Sequence, residues 1–182
     1  MINILDKIIA NKRLEVERHK KDTSINELEK RLSTITTPAS FKEAIKNSRT
    51  GIIAEFKRRS PSRDWIFKDA KIEDVIPLYS QNGASAISVL TDMDFFGGEL
   101  ADLELAGSLT KTPLLRKDFV VDEYQLYQAK ISGASAILLI ASALTIDETK
   151  QLAKKAKELN LDVLLEIHNE QELHHINDKV DV

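Results

Sequence analysis

Gly83-Ala84-Ser85-Ala86-Ile87 recurs unchanged as Gly133-Ala134-Ser135-Ala136-Ile137, fifty residues further on. Each copy reads as a helix-to-strand junction. The glycine fits a left-handed helix C-cap, and the small residues after it let the helix lie close to the next strand. Fifty residues is the length of two βα units. Working outward, apolar runs at 51–57, 84–91, 113–119, 134–142 and 161–167 read as strands. The segments 71–82, 99–109, 122–132, 145–159 and 170–176 read as helices, with Pro77 predicting a kink or a lost hydrogen bond in the first. Residues 58–70 and 92–98 read as loops. Strands apolar on both faces, alternating with helices, predict a parallel sheet covered by helices. Two closures satisfy this pattern, an open doubly wound sheet and a (β/α)8 barrel. No Gly-x-Gly-x-x-Gly follows the first strand and no Gly-x-x-x-x-Gly-Lys occurs, so nucleotide-fold fingerprints are missing.

Three helices precede this pattern. Residues 3–21 place Ile4, Leu5, Ile8, Ile9 and Val16 among charges, as an amphipathic helix does. A short helix is expected over 25–32, and a third starts near Ser40 with Phe41, Ala44 and Ile45 on one face. The expected organisation is a helical extension over 1–50 and a barrel-type unit over 51–182, with residues 180–182 opening one more strand. The 182 residues carry a net charge of −3, which gives no footprint of a nucleic-acid or anionic-membrane binder. With no cysteine, disulfides, thiolate metal sites and cysteine nucleophiles are excluded. No apolar run approaches the ~20 residues of a membrane helix, and Met1-Ile2-Asn3 does not open a signal peptide. A cytoplasmic protein is expected.

Chemistry collects at strand ends. In Ile53-Ala54-Glu55-Phe56-Lys57, the period of 2 puts Ile53, Glu55 and Lys57 on one face and Ala54 and Phe56 on the other. Lys117 ends the third strand with Leu115 and Phe119 on its face, and Glu166 ends the fifth with Leu164 and His168. In a parallel barrel these ends converge on one mouth, where two Lys and two Glu suit acid–base work. Taken singly, each such residue is more often a solvated strand end or a salt bridge, and it is the four together on strands 1, 3 and 5 that point to chemistry. Arg58, Arg59, Arg63 and Lys68 form a charge run that serves either a phosphate or solvent. Phe95 and Phe96 would line a pocket or pack under a loop. His19, His168, His174 and His175 have no metal-ligand spacing, and the last two are expected at the surface.

These residues resemble the indole-3-glycerol phosphate synthase family. The resemblance rests on Ile53–Ser62, on Ser88-Val89-Leu90-Thr91-Asp92 with Phe96, on Leu115–Phe119, on Leu138-Leu139-Ile140 and on Leu165-Glu166-Ile167. It implies a TIM-type (β/α)8 barrel with an N-terminal helical extension. It also implies a cofactor-free, metal-free lyase of tryptophan biosynthesis that closes the indole ring of 1-(2-carboxyphenylamino)-1-deoxyribulose 5-phosphate with loss of carbon dioxide and water. By motif position, Lys117 resembles the general acid, and Glu55, Lys57 and Glu166 the rest of the acid–base set. Ser60, Phe96, Phe119 and Leu138 match substrate-lining positions. The family usually has glycine after Ser-Pro-Ser, where this chain has Arg63-Asp64-Trp65. The resemblance implies an incomplete barrel, with strands 1–5 and the start of strand 6 and without the phosphate-binding loops after strands 7 and 8. Weak or absent activity, self-association and a non-catalytic scaffold are alternatives on that basis, as is another phosphosugar-binding barrel such as an isomerase. The expected partner is a small phosphorylated substrate, with no nucleic acid and no membrane. The parent enzyme is expected as a monomer or fused to another enzyme of its pathway.

Overall fold

The computed structural model describes residues 3–33, 35 and 38–182. Met1 and Ile2, part of the segment weighed against a signal peptide, lie outside the described residues. Helix α1 (Ile4–Asp22) starts where the Asn3 side chain accepts the Asp6 N–H at 2.8 Å and ends in a basic turn, as the helix dipole favours. Its buried stripe is Ile8, Lys12, Val16, spaced by four and so on one face. A lysine at the centre of that stripe was not anticipated from the apolar positions. Helix α2 (Ile25–Leu32) opens with a capping box between Ser24 and Glu27, and α3 (Phe41–Lys46) is capped by Ser40.

Strand β1 (Ile53–Phe56) is followed by a small antiparallel hairpin, β2 (Arg59–Ser60) and β3 (Asp64–Trp65), within the segment expected as loop. An ion pair of Arg59 with Asp64 at 2.8 Å and the guanidinium over the Trp65 ring hold the hairpin. Then come α4 (Ile72–Gln81), which runs on through Pro77, β4 (Ala86–Leu90), a short α5 (Met93–Phe96) where a loop was expected, and α6 (Leu100–Leu109). The chain continues with β5 (Leu114–Lys117), α7 (Tyr124–Ile131), β6 (Ala136–Ile140), α8 (Ile146–Glu158) and β7 (Asp162–Glu166). The last predicted helix is a 3-10 turn, Glu170–His175. Its tighter winding directs His175 inward onto α8, where Nδ1 lies 2.8 Å from Thr149 Oγ1. The surface placement expected for His175 is therefore corrected, since the residue is buried.

The strands β1, β4, β5, β6 and β7 form one sheet in that order, every neighbouring pair parallel. Chain order and spatial order coincide. A doubly wound sheet reverses its strand order at a switch point, whereas a barrel wall is laid down one strand after the next. The sheet is therefore of barrel type. Asp181 N donates to Val163 O and Leu165 N to Val182 O, each at 2.9 Å, so the chain's last residues continue the same winding.

The sequence repeat is a structural repeat. Gly83 (φ +82°) and Gly133 (φ +86°) both take the left-handed conformation. Ala84 N donates to Tyr79 O and Ala134 N to Ala129 O, closing the same C-terminal motif twice. Ser85 N then reaches Ile52 O and Ser135 N reaches Leu114 O, both at 2.8 Å, which sets each new strand beside the last.

Alternation along the strands makes two cores. Ile87, Val89, Ile137 and Leu139 face the outer helices together with Ile76, Leu103 and Leu126. Ala86, Leu115, Ala136 and Leu138 face inward, and Phe41 of α3, fully buried, packs among them. Ser40 Oγ and Lys42 N both donate to Asp162 Oδ2 at the start of β7. Helix α3 thus closes the end of the sheet where strands begin. Helices α1 and α2 instead pack on α7 through Val16, Leu28, Tyr124 and Tyr127. At the far end of β4 the chain turns sharply at Gly98, where a Cβ would lie 2.1 Å from Leu90 O. Backbone cannot swing aside as a side chain can. Gly98→Ala is expected to cost ~1–3 kcal/mol, read as a lower Tm, and an unchanged Tm would refute that close approach.

Candidate active site

The alternation that buries Phe56 behind β1 turns Glu55 to the inner face. The same alternation carries Lys117 inward from β5 and Glu166 from β7. The parallel register pairs Lys117 with Leu90 and Glu166 with Ile140, so these ends lie at one level. The charged groups make a continuous row. Lys57 Nζ is 2.6 Å from Glu55 Oε1, and Lys117 Nζ is 3.9 Å from Glu55 Oε2 and 3.4 Å from Glu166 Oε2. Glu166 Oε1 is in turn 3.3 Å from His168 Nε2. The Lys and Glu side chains are 28–32% exposed, at the floor of an open mouth. Their mutual attraction is screened accordingly, and their interest is chemical rather than stabilising.

A cavity of about 220 Å³ opens on this row. Polar groups reach it from β1, β5 and β7, and apolar ones from β4 and β6 in between: Leu90, Leu138 and Ile140. That division between alternate strands is how a parallel barrel fills its interior. Phe96 and Phe119 form an aromatic wall, ring centroids 5.8 Å apart and tilted by 39°. Leu5 of α1 completes the rim, so the helical extension contributes to the site.

Seven of the eight residues singled out from sequence converge here: Glu55, Lys57, Phe96, Lys117, Phe119, Leu138 and Glu166. Ser60 is the exception. The β2–β3 hairpin buries it, with its hydroxyl 3.3 Å from that of Ser62, and it is not among the residues lining the cavity. The phosphate reading of the nearby arginines also changes. Arg58 forks onto Asp102 at 2.5 and 2.9 Å, donates to Ala70 O and lies 4.8 Å from the Phe56 ring centroid. Arg59 is taken up by Asp64 and Asp94 O. Both tie the hairpin down. Among the described residues no group of three or more His, Cys, Asp or Glu side chains is arranged to hold a metal ion, and no helix is long and apolar enough to cross a membrane.

Behind the mouth lies a charged cluster that sequence reasoning missed. Lys12 Nζ, fully buried, meets Glu15 and Asp92 at 2.9 Å and Asp118 at 3.0 Å. Asp118 also takes Arg116 Nη2 at 2.8 Å and the Thr91 hydroxyl at 2.7 Å, and Arg116 donates Nη1 to Gln125 O. Burial alone would push the Asp118 carboxyl up, but Arg116 and Lys12 prevail and hold it at about 2, below the ordinary 3.8. Burial likewise pulls Lys12 down, and Asp118, Asp92 and Glu15 more than offset it, leaving the amine above its usual range. The signal was present in the sequence as Ile8, Lys12 and Val16 on one helix face. A carboxyl depressed by folding stabilises fully above its unfolded value near 3.8 and loses that contribution as pH falls through about 2. Urea midpoints are therefore expected to drop in this acid window, and less steeply in Asp118→Asn. Equal slopes would remove Asp118 as the cause.

The profile of the family described as Indole-3-glycerol phosphate synthase matches residues 5–181. The chain belongs to this family. A relative of that name from Bacteroides thetaiotaomicron is 52% identical over all 182 residues, which span 70% of the relative's length. The Prochlorococcus marinus (strain AS9601) synthase is 44% identical over 96% of this chain and 60% of its own length. That of Aliarcobacter butzleri is 44% identical over 93% of this chain and 66% of its own. The chain thus spans 60–70% of the length of these relatives. The family fold is the TIM barrel, in keeping with the strand order above.

Proposed function

We propose that the mouth carries the chemistry of indole-3-glycerol phosphate synthesis: ring closure, decarboxylation and dehydration of 1-(2-carboxyphenylamino)-1-deoxyribulose 5-phosphate. The observation that carries this reading is the Lys117 ammonium, set between the carboxylates of Glu55 and Glu166 and beside an aromatic wall. The cavity matches the substrate's halves in kind, with Phe96, Phe119 and Leu138 for the aryl ring and the charged row for the sugar carbonyl.

In the first step the ring carbon bearing the carboxylate attacks the ribulose C2 carbonyl. The new C–C bond forms as the carbonyl π electrons move to oxygen, and Lys117 supplies a proton there. A cationic donor aimed at a developing oxyanion is the most effective electrostatic arrangement for such a step. Carbon dioxide then leaves from the same ring carbon, and the C–C bonding pair restores the aromatic ring. In the last step the C2 hydroxyl leaves as water after protonation, and a base removes the C1 proton to complete the indole. Lys57, Glu55 and Glu166 form the remaining acid–base set. Their contacts at 2.6–3.9 Å allow protons to be redistributed along the row between steps. No metal or organic cofactor is called for, because the electron sink is the substrate's own carbonyl. The expected partner is accordingly one small phosphorylated molecule. A single-turnover assay of this chain with that substrate, followed by indole fluorescence, tests the reading. Appearance of product supports it, and no product at saturating substrate counts against catalysis by this chain.

A further inference from the structure

The buried cluster behind the mouth ties helix α1 to the segments that follow β4 and β5. Asp92 and Asp118 lie just past the ends of β4 and β5, both with fully buried carboxylates. Each holds one aromatic wall segment. Asp92 Oδ1 accepts the Phe95 N–H at 2.9 Å and caps α5, which carries Phe96. Asp118 Oδ1 accepts the Phe119 N–H at 2.8 Å and directly follows Lys117. Lys12 Nζ reaches both carboxylates from a third element, α1, whose Leu5 is on the cavity rim. One ammonium therefore spans the segments bearing Phe96, Lys117, Phe119 and Leu5.

We propose that Lys12 is a positioning residue for the ring-closure site, setting the spacing of the aromatic wall and its register with the Lys117 amine. This rests on the reading of the mouth given above. Lys12 touches no reacting atom and is not itself an acid or base in the reaction. It acts through Asp92 and Asp118. Charge balance alone would be a different role. Asp92 and Asp118 face Lys12 and Arg116, so removing Lys12 leaves an uncompensated buried carboxylate, and removing Lys12 and Asp92 together restores the balance without restoring the bridge.

The test uses the full chain with Lys12→Met, Lys12→Arg, the double variant Lys12→Met/Asp92→Asn, and Leu28→Ala as a control for destabilisation away from the mouth. Three quantities are read: Tm, single-turnover rate with the carboxyphenylamino substrate, and the NOE between the Phe96 and Phe119 rings. Lys12→Met is expected to lower the rate at saturating substrate at least tenfold below Leu28→Ala at matched fraction folded, and to weaken the ring–ring NOE. Lys12→Arg is expected to recover most of both. The double variant is expected to recover Tm but neither rate nor NOE. Recovery of rate and NOE by the double variant, or a Lys12→Met chain indistinguishable from the control, would overturn the proposal. If the unsubstituted chain makes no product, the functional reading fails by itself, and the NOE pattern still decides for or against positioning by Lys12. If Lys12→Met does not fold, the double variant, with its charges balanced, carries both readouts.

Discussion

Lys117→Ala is expected to reduce the single-turnover formation of indole product by about a thousandfold, with substrate binding changed far less. The size follows from two roles lost together. A positioned general acid contributes roughly 10²–10⁴-fold, and removing a preformed donor to an oxyanion costs roughly 10²–10³; the two overlap, since one proton serves both. Binding is expected to persist because Phe96, Phe119 and Leu138 supply the apolar contact and are untouched. With Lys117 gone, Glu55 and Glu166 face each other without the cation between them, and Lys57 keeps Glu55 as its one ion-pair partner among the described residues. Lys57 therefore does not substitute for it. A Lys117→Ala chain retaining more than a tenth of the rate would show that the proton comes from elsewhere. Loss of binding in parallel with rate would show that Lys117 holds the substrate rather than activating it.

Arg116→Met is expected to be the most destabilising single change in the barrel wall. Arg116 alternates with Lys117 on β5, so it points away from the mouth into the layer under α7, where it is almost wholly buried. All three of its side-chain nitrogens are engaged: Nη2 with Asp118, Nε with Thr91 Oγ1 at 3.1 Å, Nη1 with Gln125 O at 2.7 Å. Removing it takes the Arg116 contact from the Gln125 carbonyl and leaves Asp118 with Lys12 as its one cationic partner among the described residues. Breaking a buried pair from one side typically costs ~3–5 kcal/mol, a large part of the ~5–15 kcal/mol that holds a domain together. Urea unfolding measures it directly. Arg116→Lys is expected to recover little, because a point charge cannot fill the three-way fork. A loss below about 1 kcal/mol for Arg116→Met would mean that water or a rearranged Lys12 satisfies Asp118.

The neighbours Arg116 and Lys117 also separate what was legible in the sequence from what was not. Their alternation, and that of Glu55 with Phe56, follows from strand geometry alone, so the inward set was readable as soon as the strands were. The repeated Gly-Ala-Ser-Ala-Ile marks the helix-to-strand junctions because glycine's left-handed conformation is a local property. The side-chain caps seen at Asn3, Ser24, Ser40 and Thr145 are equally local, each accepting a backbone N–H from the first turn of its own helix. The hairpin over Arg59–Trp65 was not legible: its short strands are too polar for a hydrophobic period, and long-range partners such as Arg59 to Asp94 O tie it to the fold. His175 was misplaced for a similar reason, since one residue's difference in helical winding decides which way a side chain faces.

By itself the sequence determined where the five strands of the parallel sheet lie, which of their ends carry charged groups on the inner face, and that the chain alternates strand and helix. Those properties depend on neighbours a few residues apart. Tertiary structure alone decided that the strands are laid down in chain order as a barrel wall, that Ser60 and the arginines Arg58 and Arg59 belong to the supporting hairpin, and that Lys12 is buried under the mouth. The strand order depends on pairings between separate stretches of chain, and the places of Arg58 and Lys12 on partners further off still, such as Arg58 with Asp102 or Lys12 with Asp92 and Asp118. The free energy of a buried charge is set by what surrounds it in space, which no local pattern of residue types records.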